Sequence, residues 1–186
     1  NQEYTFEEMF RRVNQTANFL KRAGVKKGEK VSVLLDNCPE FYFIWFGCAA
    51  VGAVMVPINT ASTCRELDYF FTHSDSVLVI TDSKYDKQVA EVCNNVKSIK
   101  QVILLGGKDQ EYNTNRNFHY LISSESAKEI SQEVFPNDVC AMMYTSGTTA
   151  KPKGVQITHH NYVFAGESSA RTQMLTANDR YLIFLP

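Results

Sequence analysis

The sequence predicts an α/β fold with a mainly parallel sheet flanked by helices. Segments with the apolar pattern of strands alternate along the chain with segments that have the pattern of helices. Strands that are buried on both faces of a parallel sheet carry apolar residues without alternation. Four segments have that character, at 53–56, 77–80, 102–105 and 139–143.

The first half of the chain predicts two helices and two strands. Thr5 and Glu8 have the spacing of a capping box, and apolar residues follow at helical spacing until Gly24, which favours the end of a helix. Pro39 favours the first turn of a second helix. We place this second helix at 39–51 and the strands at 30–35 and 53–56.

One uncharged stretch, residues 41–58, has the length at which a membrane-spanning helix must be considered. Gly47 and Gly52 lie inside it, and Pro57 lies near its end. These residues favour a buried helix followed by a short strand, as in an α/β core, so we predict no transmembrane segment.

The second half of the chain continues the alternation. Thr63 and Glu66 form another candidate capping box, followed by a helix with Leu67, Phe70 and Phe71 on one face. The other predicted segments are strands at 77–80, 102–105 and 139–143, helices at 84–93 and 123–133, a polar loop at 108–118, a short element at 118–122, a helix capped by Thr158 and a strand at 181–185.

Composition excludes some classes of partner. The 186 residues are enough for one domain, and their net charge of −1 does not favour binding to nucleic acid or to an anionic membrane. The five cysteines include no Cys-x-x-Cys pair, which favours reduced thiols in a cytoplasmic protein over zinc binding or disulfides. The four histidines lack metal-ligand spacing, so we assign them no metal site.

The strongest chemical signal is residues 144–155, Tyr-Thr-Ser-Gly-Thr-Thr-Ala-Lys-Pro-Lys-Gly-Val. We expect a loop between the strand at 139–143 and the helix that begins near Thr158. Hydroxyls, backbone N–H groups and a lysine in such a loop suit phosphate, and Gly147 and Gly154 permit close backbone approach. The spacing is not that of a Walker A loop. From the residues alone, a solvent-exposed turn is an open alternative.

These twelve residues resemble the signature of the AMP-forming adenylating enzymes, which include acyl-CoA synthetases, adenylation domains and luciferases. The chain departs from that signature only at Ala150, where glycine is usual. If this position needs a positive φ, alanine costs about 1 kcal/mol or more. The resemblance continues at 24–31, 56–59, 157–161 and 184–186, and residues 35–41 and 45–47 look most like the crotonobetaine/carnitine-CoA ligase branch.

The resemblance implies a large N-terminal domain, of which residues 1–186 are the first part, and a small C-terminal domain outside this chain. It implies that a carboxylic acid attacks ATP to give an acyl-adenylate and pyrophosphate, and that coenzyme A then displaces AMP. Mg²⁺ would bridge the phosphates. The residues implied to bind the ATP phosphates are Thr145, Ser146, Gly147, Thr148, Thr149 and Lys153. Lys153 fits the lysine of the signature, whereas Lys151 is expected to face solvent.

The family segments that carry the other site residues would follow Pro186, so no catalytic residue and no metal ligand is assigned here. The 186 residues alone are therefore expected to be inactive. Two alternatives stay open, an adenylation domain that serves a carrier protein and a non-catalytic homologue, for which Ala150 would be a sign. The sequence does not predict which carboxylic acid is activated, and fatty acids are among the candidates. It does not predict the oligomeric state.

Three further groups of residues are expected to be structural. His159 and His160 should lie on the surface at a helix start, and Asp36 should lie in a turn. The aromatic residues between 41 and 46 should pack in the core rather than line an acyl pocket.

Overall fold

The computed structural model describes residues 3–106, 114–145 and 151–180. In these ranges the helices are α1 (Phe6–Arg22), α2 (Pro39–Val51), α3 (Cys64–Ser74), α4 (Asp86–Cys93), α5 (Phe118–Ser123) and α6 (His159–Thr172). The strands are β1 (Lys30–Leu34), β2 (Val54–Pro57), β3 (Ser76–Asp82), β4 (Gln101–Leu105), β5 (Val139–Thr145) and β6 (Lys153–Thr158). The strand expected at 181–185 and most of the loop expected at 108–118 lie outside the described residues.

The strands form one sheet in the order β4-β3-β1-β2-β5-β6. Neighbouring strands from β4 to β5 are parallel, and β6 pairs antiparallel with β5. Helices α1, α2 and α5 pack on one face of the sheet, and α3 and α4 pack on the other. The predicted α/β fold with a mainly parallel sheet is confirmed.

Burial on both faces explains why the strands are apolar at consecutive positions. In β1, Val31 and Val33 belong to the core beneath α1 and α2, whereas Leu34 belongs to the core beneath α3 and α4. Successive side chains of a strand point to opposite faces, so two covered faces require apolar residues on both.

The uncharged stretch at 41–58 is part of this core. It comprises most of the 13-residue helix α2, the turn at Gly52 and strand β2. Helix α2 packs closely on α1, since a Cβ added at Gly47 would lie 2.8 Å from Thr16 Cγ2. In the ranges that the structure describes, no helix is both long and apolar enough to cross a membrane.

The prediction of a helix at 123–133 is wrong. After α5 the chain runs without regular structure to β5. Side chains of α1 donate to its carbonyls instead: Asn18 Nδ2 lies 3.0 Å from Ser126 O and 2.9 Å from Lys128 O, and Gln15 Nε2 lies 3.3 Å from Glu125 O. These carbonyls find donors outside the segment, so the segment needs no internal helical hydrogen bonds.

The predicted order of strand, loop and helix is also wrong. Strand β6 lies between the loop and α6, and it pairs with β5 from Thr158 back to Lys153. The helix begins only at His159, where Thr158 forms the N-cap that the sequence predicts. Pairing with β5 satisfies the backbone of 153–158, which short-range sequence patterns do not reveal.

Candidate functional site

The candidate site lies at the open end of the β5–β6 hairpin. Thr145 ends β5 and Lys153 begins β6, and the two residues are paired across the strands. Both lie at the edge of the sheet where the parallel strands have their carboxyl ends. Of the predicted phosphate-binding residues, these two are described, while Ser146, Gly147, Thr148 and Thr149 lie outside the described residues, as does Ala150.

Thr145 and Lys153 carry complementary groups for an anion. Paired residues of neighbouring strands project to the same face, so both side chains begin on one face of the hairpin. Both residues are exposed. Within the described residues, Lys153 forms no ion pair with a carboxylate, so no such partner neutralises its charge. A hydroxyl donor beside a compact ammonium suits phosphate oxygens.

The N-terminus of α6 is not part of this site. Six residues of β6 separate it from the end of the hairpin, a distance of about 20 Å at the rise of a strand. Because the positive end of a helix acts only over its first turn, α6 cannot support a phosphate at Lys153.

Gly154 lets the hairpin pack tightly. It lies opposite Tyr144, and an added Cβ would lie 3.0 Å from Met142 Sδ and 3.5 Å from Tyr144 Cε1. Gly154 thus has no room for a side chain, and its φ is not positive; close approach of its backbone to a phosphate stays a prediction. The other glycine of the prediction, Gly147, lies outside the described residues.

An aromatic cluster from α3 packs against Tyr144 of β5 and contacts Pro152, the residue before β6, and the sequence did not predict it. Tyr69 Oη donates to Pro152 O over 2.8 Å, and His73 Nδ1 lies 2.8 Å from Tyr144 Oη. The rings of Phe70 and Tyr144 have centroids 4.5 Å apart. Burial raises the pKa of Tyr144 to about 12, which keeps the phenol neutral at ordinary pH. Tyr69 and His73 are four residues apart on a helix, and this spacing is the one signal in the sequence.

Lys151 is exposed, as predicted, but it also has a partner. Its Nζ lies 5.6 Å from the centre of the Tyr69 ring, within the range of a cation–π contact. Lys151 and Lys153 therefore have different surroundings, although they are separated by one residue.

The two histidines at the start of α6 differ in exposure. His160 is exposed as predicted, whereas His159 is half-buried, so the prediction of a surface pair is only partly right. Burial lowers the pKa of His159, and the charge of Asp138 opposes this shift. His159 Nε2 is buried without a hydrogen-bond partner among the described residues.

The aromatic residues of α2 divide between core and surface. Phe43 is buried, and Trp45 packs edge-on against Tyr162 with ring centroids 5.3 Å apart. Tyr42 and Phe46 are exposed, so the prediction of core packing is wrong for these two. Phe46 lines an apolar groove of about 780 Å³ between α1, α2 and the start of α6, on a different part of the surface from Lys153.

A second cavity, of about 1020 Å³, lies beyond the carboxyl ends of β1 and β2. Asp36 lines this cavity and lies in the turn that the sequence predicts. It also forms an ion pair with Lys84, which the sequence did not predict. The hydrogen bond from Lys84 holds the pKa of Asp36 below its usual range. The turn position of Asp36 and this exposed ion pair support a structural role.

The described residues offer no metal site of protein side chains, since no three His, Cys, Asp or Glu among them lie close together. All five cysteines are free thiols. Burial raises the pKa of Cys48 to about 12 and that of Cys38 to about 11, so neither is suited to act as a thiolate nucleophile.

Comparison with known sequences relates the chain to one enzyme family. The profile of the AMP-binding enzyme family matches residues 1–186. A crotonobetaine/carnitine–CoA ligase of Escherichia coli is 34% identical over 185 residues, which are 98% of this chain and 36% of that ligase. The ligase of the same name from Citrobacter koseri is 31% identical over 186 residues, 99% of this chain and 36% of its own. The chain thus spans little more than a third of these relatives.

Solved structures share the fold. The anthranilate CoA ligase AuaEII in complex with anthranoyl-AMP gives a TM-score of 0.83 at 28% identity, covering 89% of this chain and 32% of that one. The inhibitor-bound N-terminal domain of FACL13 from Mycobacterium tuberculosis gives 0.81 at 29% identity, covering 95% and 42%. Apo MatB from Rhodopseudomonas palustris gives 0.84 at 23% identity, covering 96% and 34%, a likeness of fold alone.

Proposed function

The chain belongs to the AMP-binding enzyme family, and we propose that it is the first part of the large domain of an AMP-forming acyl-CoA ligase. In this reaction a carboxylate oxygen attacks the α-phosphorus of ATP, and pyrophosphate leaves. The thiol of coenzyme A then attacks the acyl carbon of the adenylate, and AMP leaves. The similar proteins named as CoA ligases support the proposal, and one of them is solved with an acyl-adenylate.

The single observation that carries the proposal is the pairing of Thr145 with Lys153 at the end of the hairpin. It brings both ends of the twelve-residue signature together and places a hydroxyl and an ammonium on one face. We propose that these two residues bind the β- and γ-phosphates of ATP together with Ser146, Gly147, Thr148 and Thr149. The hairpin would hold the departing pyrophosphate in line with the attacking carboxylate oxygen and would stabilise its negative charge. Its contribution to catalysis would therefore be positioning and electrostatic stabilisation.

ATP and coenzyme A are the proposed cosubstrates. The Thr145 hydroxyl is the kind of oxygen ligand that would help to hold Mg²⁺, a hard cation, and the ion would neutralise phosphate charge. The described residues hold no cluster of carboxylates for this ion, so the protein's main metal ligand is proposed to lie outside them.

The acid is proposed only as a class, a small-molecule carboxylic acid. The relatives are named for crotonobetaine and carnitine, and a structural neighbour is named for anthranilate. These names cover acids of different charge and shape, so they do not select one. Cytoplasmic location stays a prediction from the cysteine pattern of the sequence.

The 186 residues alone are proposed to form no acyl-CoA. They correspond to about 36% of the length of the relatives, and the cavities in the described residues are open at the surface. A preparation of residues 1–186 that converts acid, ATP and coenzyme A to the thioester would contradict this proposal.

The test of the function uses the intact protein that contains these residues. Carboxylate-dependent exchange of pyrophosphate into ATP is measured with carnitine, crotonobetaine, anthranilate and fatty acids of several lengths, with omission of acid as the control. We expect exchange with at least one acid, and AMP release when coenzyme A is added. Exchange with transfer only to a carrier-protein thiol would support the adenylation-domain alternative. No exchange with any acid would support the non-catalytic homologue.

A further inference from the structure

We propose that Tyr69 and His73 of α3 are positioning residues that hold the two strand ends of the hairpin and thereby fix the distance between Thr145 and Lys153. This inference rests on the proposed function, since it assigns these residues a task at the same site. Neither residue belongs to the twelve-residue signature, and both are distant from it in sequence.

The contacts fall one residue before each site residue. Tyr69 Oη donates over 2.8 Å to the carbonyl of Pro152, which precedes Lys153. His73 Nδ1 lies 2.8 Å from the hydroxyl of Tyr144, which precedes Thr145. Because the strands are antiparallel and Tyr144 lies opposite Gly154, the two contacts lie on either side of the Thr145–Lys153 pair, one inside the ladder and one beyond Lys153.

The backbone at Pro152 needs such a partner. Proline has no N–H, so its carbonyl is its one backbone hydrogen-bonding group. Pro152 lies just before β6, and within the described residues Tyr69 is the donor to its carbonyl. The contact thus orients the peptide that leads directly into Lys153.

The α3 side of the contact is rigid. Tyr69 and His73 lie one helical turn apart with ring centroids at 5.2 Å, and between them Phe70 anchors the helix in the core. The capping box of Thr63 and Glu66 fixes the start of this helix. The backbone that carries Tyr69 and His73 therefore belongs to a helix packed on the sheet, which limits where the two side chains can reach.

The test compares Tyr69→Phe with Tyr120→Phe in the intact protein. Tyr69→Phe removes the hydroxyl and keeps the ring, while Tyr120 is an exposed tyrosine of α5 that takes no part in the site. Loss of one hydrogen bond of about 1 kcal/mol should lower kcat/KM for ATP about five-fold. The KM values for the acid and for coenzyme A should stay within about two-fold of the parent values. The free energy of unfolding should fall by no more than about 1 kcal/mol, the contribution of one hydrogen bond. Tyr120→Phe should match the parent. A general structural role would instead change all of these values together.

A double-variant cycle with Lys153→Ala separates this proposal from the proposed function. If Tyr69 acts through Lys153, Tyr69→Phe should have little further effect once Lys153 is alanine. Additive losses, or an unchanged kcat/KM in Tyr69→Phe while Lys153→Ala is impaired, would overturn the positioning role alone. If Lys153→Ala exchanges pyrophosphate at the parent's rate, the proposed phosphate-binding role of the hairpin is itself contradicted. His73→Gln should likewise lower kcat/KM for ATP without changing the KM values for the acid and for coenzyme A. If kcat/KM for ATP of His73→Gln equals that of the parent, His73 is not a positioning residue.

Discussion

Replacing Ser76 with alanine should destabilise the protein more than replacing Ser32, although each change removes one buried hydroxyl. Ser32 of β1, Ser76 of β3 and Ser74 at the end of α3 are almost fully buried. The Oγ atoms of Ser32 and Ser76 are 2.7 Å apart, as are those of Ser74 and Ser76. Ser74 Oγ donates to Phe71 O over 3.3 Å. Each hydroxyl has one proton, and if Ser74 gives its proton to Phe71 O, Ser76 donates to Ser74 and Ser32 donates to Ser76; the prediction tests this direction.

The direction of these hydrogen bonds determines how much unfolding free energy each substitution removes. In Ser76→Ala the proton of Ser32 loses its acceptor inside the core, which costs about 1–3 kcal/mol, and the bond to Ser74 contributes about 1 kcal/mol more. We therefore expect a loss of about 2–4 kcal/mol in the free energy of unfolding. In Ser32→Ala the bond from Ser76 to Ser74 persists and no buried proton is orphaned, so the loss should be about 1 kcal/mol.

Urea unfolding measures both losses, with the fluorescence of Trp45, the one tryptophan, as the signal. The double variant Ser32→Ala/Ser76→Ala should lose less than the sum of the single variants, because it leaves no donor without an acceptor. Equal losses in the two single variants, or strict additivity in the double variant, would refute the directed chain of hydroxyls.

Two further predictions concern stability. Gly47→Ala should lower the free energy of unfolding by about 1 kcal/mol, because overpacking against the buried Thr16 outweighs the gain in helix propensity; an unchanged or raised urea midpoint would contradict the close packing of α1 on α2. The hydrogen bond from Lys27 lowers the pKa of Asp138, so the stability that Asp138 contributes should be complete above about pH 3.9 and lost as the pH falls through the lower folded-state value. Urea midpoints of the parent and of Asp138→Asn should accordingly differ most at pH 6, and the difference should shrink as the pH is lowered below about 3.9; a difference that does not change with pH would count against this ion pair.

The parts of the fold that the sequence predicts are those with local signals. Helix α2 has the predicted bounds because Pro39 begins it and Gly52, with φ of +71°, ends it. The capping boxes at Thr5 and Thr63 form as expected because their partners lie three residues away. Such contacts depend on the segment itself, so the segment reveals them.

The parts that the sequence does not predict depend on distant partners. Strand β6 exists because 153–158 pairs with β5, and 123–133 is not helical because side chains of α1 bind its carbonyls. In the candidate site the signature identifies Thr145 and Lys153, but it does not show that Tyr69 contacts Pro152 from 83 residues away. No local pattern encodes a contact of that separation.

The central claim is that Lys153 at the end of the hairpin binds the phosphates of ATP, and its most direct test is pyrophosphate exchange by Lys153→Ala and Lys151→Ala in the intact protein. A charge-assisted bond to phosphate contributes about 2–3 kcal/mol, so Lys153→Ala should lower kcat/KM for ATP about 100-fold. Lys151→Ala, one residue from Pro152 but directed at the Tyr69 ring, should lower it by less than about five-fold. Equal values for the two variants, or a parent-like value for Lys153→Ala, would contradict the account.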